Sequence, residues 1–276
     1  MQVYSDVACA LGEGALWHPL RKQLFWFDIL GTRLMSRAPD GTVDHWQFDE
    51  HVSAAGWVDR DTLLMASATG LWRFDIGTET RELVVPLEAD NPVTRSNDGR
   101  ADPNGGFWIG TMGIKAEPGA GAIYRHHRGE LRQLFDAITV SNAICFAPDG
   151  QTAYFADTPT RQIKRVALDA DGWPAAAPET HIDLTADRLN PDGAVVDSQG
   201  NLWNAQWGAG RVACYDPGGR FLRAVSVPTA QTTCPAFGDT TLYVTTAADG
   251  LSDPQAGFTF AVDVGVAGQQ EHRVIL

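Results

Sequence analysis

Glu13, Ser53, Asn97, Asn142, Asp192 and Thr233 recur at intervals of 40, 44, 45, 50 and 41 residues. A repeat that brings one backbone position round six times can point six side chains at a common axis. Two of these six are carboxylates and two are asparagines. Carboxylates held close together without a cation repel, and one of them must take up a proton. A divalent ion removes that conflict. Oxygen-only ligation favours Ca²⁺, Mg²⁺ or Mn²⁺ ahead of Zn²⁺. Glu13, Asn142 and Asp192 are therefore the expected ligands of one divalent metal. Three protein ligands leave positions open for water or substrate, which suits catalysis better than a structural role. Ser53 and Thr233 are expected only to line a wet shaft.

Around Asn97 the chain reads Arg95-Ser-Asn-Asp-Gly99. Arg95 and Asn97 alternate with Ser96 and so face one side of an extended strand. A guanidinium and an amide beside a metal can hold an oxygen-rich small molecule, so both are expected to bind substrate. Asp98 is expected to support its turn or to pair with Arg95. Asn190-Pro-Asp-Gly193 reads as a tight bend that aims the Asp192 carboxylate. The seven histidines show no metal-ligand spacing. His18 and His51 are expected to be structural or exposed.

The elements that must carry this column come from a second repeat. Residues 23–28, 62–67, 106–111, 152–157, 201–206 and 241–246 align without gaps. Their third positions are Phe25, Leu64, Trp108, Tyr154, Trp203 and Tyr243. Such apolar and aromatic runs, bounded by turn residues, read as buried strands. Asp102-Pro-Asn-Gly105 and Asp197-Ser-Gln-Gly200 are examples of the turns ahead of them. A third strand and a more polar fourth follow each core strand, and no helix is convincing. Units of this length with four short antiparallel strands predict an all-β fold, a six-bladed β-propeller. Six repeats nearly fill 276 residues, so one domain spanning 1–276 is expected. Residues 2–7 and 272–276 both read as outer strands, expected to meet in the closing blade.

The bulk properties narrow the partners. Net charge is −13, which disfavours nucleic acid. No apolar run approaches the roughly 20 residues of a membrane span. Residues 1–10 lack the basic start and apolar stretch of a signal peptide. The four cysteines are widely spaced and are expected to be reduced and packed. A cytoplasmic protein with no membrane and no obligate protein partner is expected.

Several stretches together resemble one family. They are Leu11-Gly-Glu-Gly-Ala-Leu-Trp17, Arg95-Ser-Asn-Asp-Gly99, Asp102-Pro103, Gly110-Thr-Met112, Val140-Ser-Asn-Ala143, Pro191-Asp-Gly-Ala194 and Ala248-Asp-Gly-Leu-Ser252. This set resembles the SMP-30/gluconolactonase/luciferin-regenerating (regucalcin-like) group of six-bladed propellers, in its bacterial sugar lactonase form. The resemblance implies metal-dependent hydrolysis of an aldono- or aldarolactone to the open-chain sugar acid. It puts Glu13, Asn142 and Asp192 at metal-ligand positions, makes Asp192 the general base, and puts Arg95 and Asn97 against substrate. One departure stands out. Regucalcin-type members carry an acidic pair soon after Gly-Thr-Met, whereas residues 113–117 here read Gly-Ile-Lys-Ala-Glu. Lys115 takes the corresponding place and joins the expected substrate-binding residues. It suits a lactone bearing a carboxylate, or a different hydroxyl pattern. Two other functions share the scaffold: a non-catalytic calcium- or ligand-binding regulatory propeller, and an arylesterase-type hydrolase. The second calls for a histidine dyad near the column, and the sequence offers none.

Overall fold

The computed structural model describes residues 1–276. Its strands form six separate four-stranded antiparallel sheets. Each sheet's innermost strand packs against those of the sheets before and after it, and the sixth returns to the first. The fold is a six-bladed β-propeller. Blade one runs through Gly12–His18, Gln23–Asp28, Arg33–Arg37 and Val43–Gln47. The inner strands of blades two to six are Val52–Trp57, Thr94–Ala101, Ser141–Phe146, Asn190–Val196 and Thr232–Gly238. The one helical element is a single 3-10 turn, Thr158–Thr160.

The core lies between blades rather than within them. Phe25, Phe27 and Leu34 of blade one cluster with Leu63, Met65 and Phe74 of blade two. Tyr154 and Ile163 of blade four cluster in the same way with Leu202 and Tyr215 of blade five. The aromatic core-strand residues are thus what each sheet offers its neighbour, and sheets stacked about 10 Å apart fill the gap with such side chains. The expected turns form as read. In 102–105 the Asp102 carboxylate accepts from the backbone N–H groups of Asn104 and Gly106, and Gly105 supplies φ 84°.

The ring closes by sharing its last sheet between the chain's two ends. Thr232–Gly238, Thr241–Thr246 and Thr259–Asp263 form three strands, and Gln2–Ser5 supplies the outermost fourth, with Gln2 opposite Ala261. The expectation that residues 272–276 also form an outer strand is wrong. Residues 2–5 already occupy that edge. The C-terminal segment instead crosses the end of the shaft at the far ends of the inner strands. Val274 N–H donates to Trp57 O at 2.9 Å and Ile275 N–H to Gly105 O at 2.8 Å. Trp57 Nε1 donates to Glu271 O at 3.0 Å, and the Glu271 carboxylate pairs with the buried Arg100 guanidinium. Here Val274 is fully buried, and Glu271 supplies the counter-ion without which the buried Arg100 charge would be strongly destabilising.

No helix is long and apolar enough to cross a membrane. The four cysteines are free and buried, as expected, and burial pushes the Cys9 thiol up to about 12. His18 and His51 bond the backbone carbonyls of Asp59 and Ile29, both at 2.9 Å, and so serve structure.

Candidate functional site

Every inner strand is bulged, and every bulge falls at the column. Register against the core strand shifts between Glu13 and Leu16, Val52 and Ala54, Ser96 and Gly99, Asn142 and Cys145, Pro191 and Ala194, and Thr232 and Pro235. A bulge bends its strand and re-aims a side chain. Six of them at one level turn the column residues off the alternating pleat and toward the axis. The tight bend read at Asn190–Gly193 is this bulge, inside a continuous strand Asn190–Val196. Two glycines make the close packing of neighbouring inner strands possible. Gly14 has φ 56°, and any Cβ there would collide with the Ser53 carbonyl of blade two. A Cβ on Gly193 would sit 2.9 Å from Cys234 Cα of blade six. Ala143, next to Asn142, also holds φ 56° and carries a Cβ while doing so. Left-handed backbone of that kind costs an ordinary residue about 1–2 kcal/mol.

Four of the six column residues meet in one cavity of about 310 Å³. Glu13, Asn97, Asn142 and Asp192 line it with Arg95 and Thr158. Leu11, Met112, Ala116, Val140 and Trp207 form its apolar wall. Ser53 and Thr233 stay outside it. Ser53 donates to Ser96 Oγ at 2.7 Å, and Thr233 donates to Gly12 O at 2.5 Å. They are fully buried struts that tie blade two to three and blade six to one, not wet lining. A larger groove of about 670 Å³ opens between blades four and five, past Ile182, Tyr215 and Phe221, but carries none of the column.

Electrostatics concentrates in the same cavity. Burial raises Glu13 well above the usual carboxylate range, and the charges of Asp192 and Asp98 push it further. Asp192 is raised by burial and by Asp98, and drawn partly back by the Gly193 N–H, Glu13 and Asn142. Without a cation the pair cannot both ionise cheaply, so it holds a proton. Burial lowers Arg95 to about 10, against the pull of Glu13. Arg95 is not a solvated loop charge. Its Nη1 donates to Ser96 O and to Asn97 Oδ1, both at 2.8 Å.

Asp98 does not pair with Arg95. Its carboxylate accepts the Ile144 N–H of blade four at 2.7 Å, and burial pushes it up to about 6. Lys115 sits in the loop that borders the cavity, but its side chain is exposed and its backbone N–H donates to Glu117. The next residue, Ala116, lines the cavity wall.

The donor set fits a hard divalent cation. Glu13 and Asp192 supply two buried carboxylates of raised proton affinity, and the Asn142 amide oxygen is buried with no hydrogen-bond partner. An orphaned buried acceptor beside two carboxylates wants a cation. No histidine lines the cavity. Sequence reasoning missed Thr158, Trp207 and Asn204. Asn204 donates to the carbonyls of Asp192 and Gly193 at 2.8 and 3.2 Å and so fixes that bulge. Thr158 follows the aligned core strand directly, yet only the ring shows what its hydroxyl reaches.

Fold and site together define a propeller with an oxygen-lined centre, and the chain belongs to the SMP-30/Gluconolactonase/LRE-like family, whose pattern matches residues 11–248. The solved structure of a calcium-binding protein, regucalcin, from Agrobacterium tumefaciens is 40% identical. It superposes with a TM-score of 0.97, over 100% of this chain and 97% of that one. An L-arabinolactonase of Azospirillum brasilense is 37% identical over 98% of this chain and 93% of its own length. A 6-deoxy-6-sulfogluconolactonase of Pseudomonas putida is 34% identical over 95% and 94%.

Proposed function

We propose that this chain, acting as one propeller domain, hydrolyses a sugar lactone to the open-chain sugar acid with one divalent metal. The observation that carries this is the meeting of Glu13, Asp192 and the unpartnered Asn142 amide oxygen in one cavity with Arg95. Glu13, Asn142 and Asp192 would hold the ion. When bound, it supplies a positive charge that polarises the lactone carbonyl and stabilises the charge building on its oxygen. The relatives' names support the substrate class, and 310 Å³ suits a five- or six-carbon lactone with water.

The chain's own residues supply the rest. Asp192 takes a proton from the water attacking the carbonyl carbon. It returns that proton to the ring oxygen as the ester C–O bond breaks, which leaves a hydroxy acid. Arg95 keeps Nε and Nη2 without protein partners and can orient hydroxyls, with Asn97 beside it; the gain is positioning. Leu11, Val140 and Trp207 cover the apolar face of the ring and limit competing water. Lys115, at the rim, would meet an anionic substituent on the substrate.

A pH-stat with gluconolactone, galactonolactone and pentonolactones tests this. Acid release above the spontaneous rate, abolished by EDTA and restored by one of Ca²⁺, Mg²⁺, Mn²⁺ or Zn²⁺, is expected. Lys115→Ala should weaken binding of anionic lactones several-fold and spare neutral ones. The calcium-binding relative favours a second reading, a calcium-binding propeller without catalysis. Calcium uptake with no acid from any lactone would select it. Turnover of aryl esters in preference to lactones would instead indicate the arylesterase form.

A further inference from the structure

Thr158 belongs neither to the column nor to the expected ligands, yet it lines the same cavity. Its hydroxyl lies 2.8 Å from the Pro191 carbonyl and 2.9 Å from Asn142 Nδ2. A hydroxyl has one proton to give. A carbonyl oxygen can only accept, so that proton goes to Pro191 O. Toward Asn142 the Thr158 oxygen can therefore only accept. Asn142 must present its NH₂ to Thr158, and its carbonyl oxygen is the end left over. That oxygen is the buried, unpartnered one. The amide orientation thus follows from the donor and acceptor inventory.

We propose that Thr158 is a positioning residue for cation binding. It locks the Asn142 amide with its oxygen free for the ion, and ties that residue to the strand carrying Asp192. The inference rests on the proposed reading of Glu13, Asn142 and Asp192 as the donors. The mount is stiff. Thr158 N–H donates to Val140 O at 3.0 Å, and Pro159 follows within the 3-10 turn. Pro191 immediately precedes Asp192, so one hydroxyl joins two proposed donors from blades four and five. Partners of this kind orient metal-binding groups, and their loss typically weakens metal affinity about 10- to 100-fold.

The test is calorimetric titration of metal-free protein with Ca²⁺, Mg²⁺, Mn²⁺ and Zn²⁺. The proteins are wild type, Thr158→Val, Thr158→Ala, Thr158→Ser and Asn142→Ala. Thr158→Val keeps the shape and loses the hydroxyl; Thr158→Ala covers the case in which the valine does not pack. Both should bind the preferred ion about 10- to 100-fold more weakly, while the metal-free protein still unfolds in one cooperative transition, at a melting point lowered only by the two lost hydrogen bonds. Thr158→Ser should bind within about threefold of wild type, because one hydroxyl suffices. Wild-type affinity in both Thr158→Val and Thr158→Ala, with Asn142→Ala losing the ion, would overturn the role of Thr158 alone. Wild-type affinity in Asn142→Ala, or no binding by wild type, would overturn the reading of the site itself. A serine variant as weak as the valine would show that a hydroxyl at this position does not by itself set the amide, and would overturn the positioning role.

Discussion

The Arg95 guanidinium donates to the Asn97 amide oxygen at 2.8 Å, and the Asn97 NH₂ donates onward to the Ser141 carbonyl at 2.8 Å. Asn97 therefore spends most of its hydrogen-bonding capacity on the protein. Its first effect is to hold Arg95 at the cavity. Arg95→Lys keeps the charge but loses the planar fork, and should raise KM for a sugar lactone about tenfold or more, roughly 1.4 kcal/mol. Asn97→Ala should raise KM by a similar factor although Arg95 is retained. Steady-state kinetics on both variants checks this, and an unchanged KM in Asn97→Ala would leave Arg95 positioned by Ser96 alone.

Asp192→Asn separates chemistry from stability. Turnover should fall at least about 100-fold, the usual scale for a lost general base. The metal-free variant should melt no lower than wild type, because an amide beside Glu13 no longer has to take up a proton for the pair to stay buried. Measuring kcat with metal and the melting point in chelator gives both halves.

Asp98 makes the metal-free protein pH-sensitive in an unusual direction. Its folded value, about 6, lies above the ordinary 3.8, so the folded state binds this proton more tightly than the unfolded state. The stability it contributes is full below about pH 4 and is lost as pH rises through about 6. Asp98→Asn should therefore be more stable than wild type at pH 8, by about 3 kcal/mol. The gain should shrink between pH 6 and 4 and vanish below. Urea unfolding of both proteins in chelator across that range measures it. A gain independent of pH would assign the effect to packing.

The Arg100–Glu271 pair sits at the sealed end of the shaft with both side chains under 10% exposed. Burial opposes the Arg100 charge, but Glu271, with smaller help from Cys234, Asp98 and Cys145, outweighs it and holds the guanidinium's proton more tightly than usual. Glu271→Ala leaves that charge unpaired and should cost about 3–5 kcal/mol. Arg100→Met with Glu271→Leu should recover most of the loss. Denaturant midpoints of the single and double variants decide between a charge effect and a simple loss of packing.

The repeat was legible because its signals are local. Residues 23–28, 62–67, 152–157 and 241–246 are core strands with the bounds that their alignment predicts, since apolar runs and turn residues mark both ends. The column was legible as a periodicity. Its mechanical cause, one bulge per inner strand, was not, because register is a property of two strands and not of one. Asp98 was misread because its partner, the Ile144 N–H, lies on the next blade, 46 residues away. The segment 272–276 was misread because a short run with one buried apolar residue, Val274, reads the same at a sheet edge and across a shaft end. Thr158 was invisible because its two partners lie 16 and 33 residues away.

The shared last sheet has a consequence in time. Residues 2–5 are the first of the paired residues to leave the ribosome, and their partners at 259–261 are nearly the last. Throughout synthesis the opening strand has no edge to join, and five blades must wait with a gap in the circle. Contacts so distant along the chain make for slow folding, and an unpaired strand is an aggregation hazard while it waits. Once latched, the same arrangement works in reverse. No blade can leave the circle without parting the two ends of the chain, so opening is all or nothing and the protein should be long-lived once made.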